Sequence, residues 1–197
     1  MRKSEIERNT NETKIKIKLD IDGTGKYLNK TKVGFLDHML DLFARHGRFD
    51  LEVLCDGDIH IDYHHSVEDT AIVLGKCFAE ALGDLKGIKR YGNFFMPMCE
   101  ALTLVAIDIC GRSHLIFESD LINQKVGDFD TELVKEFFIA FTNSMNITMH
   151  IKTFHGENTH HIIESIFKGF AKALSQAVEI DEKYKNEIPS TKGLLEK

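Results

Sequence analysis

From Lys14 to Ile21 the chain alternates strictly, with Ile15, Ile17, Leu19 and Ile21 set against Lys14, Lys16, Lys18 and Asp20. A period of two sends the two sets to opposite faces of a pleated backbone, so the segment predicts a strand with one buried and one wet face. Leu51, Val53 and Cys55 alternate in the same way, and the run from Ala101 to Ile109 also reads as a strand. Elsewhere the spacing lengthens. Leu74, Phe78 and Leu82, and again Phe170, Leu174 and Val178, recur every four residues, which is the apolar stripe of a helix. Phe35, Met39, Leu40 and Phe43 form another such stripe. Strands with one polar face imply antiparallel or mixed sheets covered on the other side by helices.

These segments occur in pairs. His64-His65-x-x-Glu68 returns as His160-His161-x-x-Glu164 at an offset of 96, and at that offset the two long helical stripes coincide, as do Leu51, Val53 and Cys55 with Ile147, Met149 and Ile151. Further upstream the offset is 98, where Phe35, Met39, Leu40 and Phe43 meet Leu133, Phe137, Phe138 and Phe141, so the first copy carries two extra residues in its connection. At the start of each copy the offset is 88: Leu19-Asp20-Ile21-x-Gly23 matches Ile107-Asp108-Ile109-x-Gly111, and Glu12 falls opposite Glu100. A longer loop in the second copy, near Ser119 to Asp130, absorbs the difference. The expected fold is α+β, an α/β sandwich of duplicated half-domains. Each half is a four-stranded mixed or antiparallel sheet covered by two helices, in the order strand, strand, helix, strand, strand, helix. The copies are about 90 residues each, spanning 1–92 and 93–185, followed by a tail over 186–197.

Composition narrows the function. The 197 residues are 43% apolar and 28% charged, a globular balance, and a chain of this mass buries roughly 70% of its unfolded surface without a metal or disulfide staple. Any metal is therefore expected to be functional. The net charge of -6 argues against nucleic acid or a membrane as partner, though a small phosphorylated ligand needs only a few local cations. Four cysteines without a CxxC pair read as free thiols, and no signal core or run of 18 apolar residues occurs, so a cytoplasmic protein is expected.

The ten histidines are the surplus, and four of them fall in the repeated motif. On a helix His64 and Glu68 share one side, as do His160 and Glu164, whereas His65 and His161 point about 100° away. Each His-His pair can thus serve two metals or bridge an interface. Imidazole and carboxylate without thiolate suit octahedral manganese or iron better than structural zinc. The repeat adds His38, which aligns with Glu136 on an otherwise apolar helix.

Phe35-Leu36-Asp37-His38-Met39, His64-His65-Ser66-Val67-Glu68-Asp69, Gly156-Glu157-Asn158-x-His160-His161-Ile162-Ile163-Glu164 and Ser190-Thr191-Lys192-Gly193, in that order, closely resemble the imidazoleglycerol-phosphate dehydratase family of histidine biosynthesis. The resemblance covers nearly the whole chain. It implies two Mn(II) ions per active site, a 24-subunit shell built from trimers, and sites at subunit interfaces. One metal would take His38, His65, His160 and Glu164, and the other His64, Glu68, His161 and position 136. Some members have histidine at that last position where this chain has Glu136. The resemblance also implies a dehydration of D-erythro-imidazoleglycerol phosphate to imidazoleacetol phosphate through a metal-held imidazolate and a diazafulvene. Glu12 would be the acid/base, beside the ligand carboxylates Glu68 and Glu164, and Arg90, Arg112, Ser190 and Lys192 would bind the phosphate.

Two other classes compete. Asp20-Ile21-Asp22-Gly23-Thr24 is the DxDGT pattern of aspartyl phosphatases, but its strand alternates with lysine instead of being buried on both faces, and a hairpin turn fits the segment better. A metal-storage shell of ferritin type would be a helix bundle, which the strands contradict.

Overall fold

The computed structural model describes residues 2–195. The first half runs β1 (Lys3–Asn9), β2 (Thr13–Asp20), β3 (Tyr27–Lys30), α1 (Gly34–Gly47), β4 (Asp50–Gly57) and α2 (His64–Leu82). The second runs β5 (Tyr91–Met98), β6 (Ala101–Asp108), β7 (His114–Glu118), a small hairpin of β8 (Lys125–Val126) and β9 (Phe129–Asp130), α3 (Glu132–Met145), β10 (Thr148–His155) and α4 (Thr159–Val178). The sheets have the orders β1-β2-β4-β3 and β5-β6-β10-β7, each antiparallel except for its last pair. The α+β duplicated architecture therefore holds. The element order within each half does not: three strands of the four-stranded sheet precede the first helix, joined in the second half by the β8–β9 hairpin, and one lies between the helices. β3 escaped the pattern because it is a four-residue edge strand with no buried position, so it carries no alternation.

The register corrects the repeat. Leu19 pairs with Leu51 in the first sheet, and its counterpart Ile107 pairs with Met149 in the second. Leu51 thus corresponds to Met149 and not to Ile147. A slip of two residues leaves every side chain on the same face of a strand, so alternation could not detect it. The offset of 98 holds as far as Cys55 and Thr153, a bulge between Thr153 and His155 raises it to 99 at the strand ends, and it is 96 at His64 and His160. The connection between β4 and α2, residues 58–63, is therefore three residues longer than its counterpart, and the bulge in β10 offsets one of them.

The segment 21–26, expected as a hairpin turn, is a longer connection. β2 and β3 are separated by β4, which inserts between them, so the chain must step across the end of β4. Asp50 Oδ1 organises that step by accepting from Thr24 N and Lys26 N at 2.7 and 2.9 Å. The DxDGT carboxylates turn to surface partners, Asp20 to Lys3 and Asp22 to Arg2.

α2 lies on the first sheet and α4 on the second, while α1 packs on α4 and α2 on α3, joining the halves through their helices. Phe43, Phe78, Phe141 and Phe170, one from each helix, close a ring of aromatic contacts with centroids 4.8 to 6.0 Å apart. All four are fully buried, each stabilising the fold by about 1.5–3 kcal/mol. One continuous core results.

Candidate metal centre and active site

Helix starts carry the chemistry. Asn158 caps α4, its side-chain oxygen accepting from the backbone N–H of His160 and of His161 at 2.9 and 3.3 Å. At α2 the Asp62 carboxylate takes the His64 N–H at 2.7 Å. Asp37, one turn into α1, reaches back to Thr31 N and Thr31 Oγ1, both at 2.7 Å, and fixes the turn that bears His38.

Because α1 packs along α4, His38 meets the second motif. Nε2 of His38 and Nε2 of His160 both approach Glu164 Oε1, at 3.1 and 3.0 Å. These three residues form one potential ligand cluster, and the Phe35 ring stands edge-on to His160 at 5.4 Å. Burial pushes the Glu164 carboxyl up, but the Lys168 ammonium and the His38 and His160 rings outweigh it and hold it down at about 2. A buried carboxylate kept charged beside two imidazoles fits a divalent first-row cation by charge and donor type. His65, the fourth member expected here, is not in this cluster.

The other motif residues are apart. His64 Nε2 and Glu68 Oε2 stand 3.9 Å from each other, one turn apart, and Glu136 is half-buried on α3 without joining them in a ligand cluster among the described residues. His161 Nδ1 lies 2.8 Å from Glu100 Oε2, with Cys99 beside them. Hydrogen bonds from Asn158 N, with the His161 ring next, hold the Glu100 carboxyl down at about 2. His65 Nδ1 meets both oxygens of Asp58 at 3.0 and 3.1 Å, and its Nε2 faces Glu12 Oε1 at 3.8 Å, too far for a hydrogen bond. The hydrogen bond with Asp58 raises the His65 pKa against the opposing effect of burial. Glu12 is held there by its turn: Thr10 Oγ1 accepts from Glu12 N, and Thr13 Oγ1 donates to the buried Asp69 of α2 at 2.5 Å.

The expected phosphate ligands gather elsewhere. Arg90 forks onto Asp108 at 2.7 and 3.1 Å and donates from Nη1 to the Pro189 carbonyl at 2.8 Å, which pins the tail next to Ser190. Lys192 N donates to Ser190 Oγ at 3.2 Å, and Arg112 is exposed on the β6–β7 connection. Arg90 N in turn bonds Ala177 O, near the end of α4. His161 lies sixteen residues earlier on that helix, about 24 Å away at 1.5 Å per residue. Within one chain, then, the metal cluster and the tail occupy opposite ends of α4.

An imidazoleglycerol-phosphate dehydratase family model matches residues 31–174. The dehydratase of Xanthobacter autotrophicus is 54% identical over 99% of both chains, and that of Clostridium kluyveri 52% identical over 99% of this chain and all of its own. The chain belongs to the imidazoleglycerol-phosphate dehydratase family. Membership makes it a dehydratase, a lyase that removes water. Among solved structures, the Staphylococcus aureus enzyme superposes with a TM-score of 0.83 at 40% identity, covering 91% of this chain and 99% of its own. The Pyrococcus furiosus enzyme, in complex with (S)-C348, gives 0.81 at 35% identity, over 96% and 100%. Both support the α+β duplicated fold. Glu12, Ser190 and Lys192 fall outside the family model's span but inside the full-length matches.

Three polar residues of the site are not among those that the sequence singles out as functional. Lys168 had a usable signal, standing one turn beyond Glu164. Glu100 was visible only as the counterpart of Glu12. Asp58 had none, because it lies in the connection 58–63, where neither strand nor helix period ties its position to His65.

Proposed function

We propose that this dehydratase converts D-erythro-imidazoleglycerol phosphate to imidazoleacetol phosphate in histidine biosynthesis, with two divalent manganese ions per active site. Family membership supports the reaction. The observation that carries the metal reading is the meeting of His38 and His160 Nε2 on one oxygen of Glu164, a carboxylate buried yet charged. His38, His160 and Glu164 would hold one ion together with His65, and His64, Glu68, His161 and Glu136 the other. Ions held by these residues would supply Lewis acidity and help to orient the substrate.

The remaining work belongs to the chain. Arg90, Arg112, Ser190 and Lys192 bind the phosphate, guanidinium forks and a hydroxyl matching its oxygens. Glu12 Oε1, exposed and not hydrogen-bonded to His65, takes the C–H proton and delivers a proton to the departing hydroxyl, so that water leaves and the enol relaxes to the ketone. Since the phosphate and metal residues of one chain lie about 24 Å apart along α4, a complete site draws on more than one subunit. A homo-oligomer follows, for which we propose the 24-subunit shell of trimers. Four free cysteines, three of them buried, accord with a reducing cytoplasm, and among the described residues no helix is long and apolar enough to cross a membrane.

The decisive assay incubates the protein with imidazoleglycerol phosphate, with Mn(II) and after chelation. Ketone formed only with metal is expected. Phosphate release, or equal turnover after chelation, would overturn the reading.

A further inference from the structure

The two histidines that follow His64 and His160 share a feature that the duplication does not explain. His65 presents Nδ1 to Asp58, and His161 presents Nδ1 to Glu100. A carboxylate accepts and cannot donate when ionised, so in the neutral ring Nδ1 carries the hydrogen and Nε2 is left bare. The partners are not related by the repeat. Asp58 lies in the connection between β4 and α2, residues 58–63, where the second copy has only residues 156–158 between β10 and α4. Glu100, between β5 and β6, is the counterpart of Glu12, which stands 3.8 Å from the opposite nitrogen of His65. The same ring state is thus reached in each copy from a different element. An inherited contact would have kept one partner; two unrelated partners point to a common requirement on the ring.

We propose that Asp58 and Glu100 are positioning residues that lock His65 and His161 in the Nδ1–H tautomer, each with Nε2 turned outward as a metal-binding lone pair. The division has a consequence for Glu12. Because Asp58 holds the first-copy ring, the carboxylate equivalent to Glu100 is released from that duty and stays free for proton transfer. The inference rests on the reading of these histidines as metal ligands. Of the two, Asp58 is the cleaner probe, since Glu100 also accepts the backbone N–H groups of Glu157 and Asn158.

Mn(II) titrations of the metal-free full-length protein, as wild type, Asp58→Ala, Asp58→Asn and His65→Gln, test this. Asp58→Ala is expected to weaken one class of bound Mn(II) by roughly 10–100-fold, the usual effect of losing such an outer partner. Asp58→Asn, which keeps an oxygen to accept from Nδ1, is expected to recover most of that loss. Unchanged affinity in Asp58→Ala beside a loss in His65→Gln overturns the positioning role while leaving the metal reading intact. Unchanged affinity in His65→Gln overturns the metal reading at that residue and this inference with it. Should the Ala variant fail to fold, two-bond proton–nitrogen correlation spectra of the metal-free wild type read the tautomer directly, and an Nε2–H form of His65 and His161 overturns the proposal.

Discussion

Glu164 keeps its charge at a position only 7% exposed, and three cationic or polarisable neighbours are what permit it. Two of these, His38 and His160, meet Oε1, and the third, Lys168, bonds Oε2 one helical turn away. Glu164→Gln preserves the shape and removes the charge. It leaves the Lys168 ammonium, 14% exposed, without its carboxylate, a loss of about 3 kcal/mol for a broken buried pair. Bound manganese is expected to fall from two ions to one per chain by metal analysis, and activity by more than about 100-fold. A double change with Lys168→Met separates the effects: melting temperature recovers because no charge is stranded, while manganese remains at one. Retention of two ions in either variant would remove Glu164 from the ligand set. At this scale the sequence was most readable where ligands are contiguous, as in the two His-His-x-x-Glu runs. It was least readable where a partner comes from a loop, as with Asp58, whose spacing from His65 no helical geometry dictates.

Elements show why period is a partial guide. Alternation located β2 and the buried residues Ile15, Ile17 and Leu19, yet it was blind to a two-residue slip in β4 and to the exposed edge strand β3. Long amphipathic helices were legible because their stripes must meet something, and the four phenylalanines do meet. Gly75 in α2 illustrates a constraint that pattern does not reveal. A helix-interior glycine costs roughly 1 kcal/mol relative to alanine, so Gly75→Ala would stabilise an isolated helix. Here a Cβ would stand 2.8 Å from Phe141 O and 2.9 Å from Ser144 Cβ on α3, and overpacking of that kind costs about 1–3 kcal/mol. The obstructing atoms include backbone, which cannot rotate away, so the clash wins over propensity. Gly75→Ala is therefore expected to melt a few degrees lower, at about 2–4 °C per kcal/mol for a domain of this size, in a thermal scan of the metal-free protein. A higher melting point would show that α2 and α3 can separate at little cost.

For the whole molecule, the duplication accounts for the two related His-His-x-x-Glu motifs, but the length of α4 sets the limits of the proposed site. With α4 helical, Arg90, whose N–H bonds Ala177 O, cannot come close to His160 of the same chain, since a straight helix holds residues seventeen apart at about 26 Å. A substrate held as proposed, at its ring and at its phosphate, would then touch two chains, and two different defects would be compensated in trans. His160→Gln and Arg112→Ala proteins should each be nearly inactive as pure oligomers. Dissociated, mixed in equal amounts and reassembled, they form some sites whose metal residues come from the Arg112→Ala chain and whose phosphate residues come from the His160→Gln chain. Random assembly from two contributing chains makes on the order of a quarter of the sites whole. Activity of that order, appearing only after co-assembly, is the expected result. Mixed oligomers as inactive as their parents would mean that one chain supplies both ends, and α4 would then have to bend or break to let it.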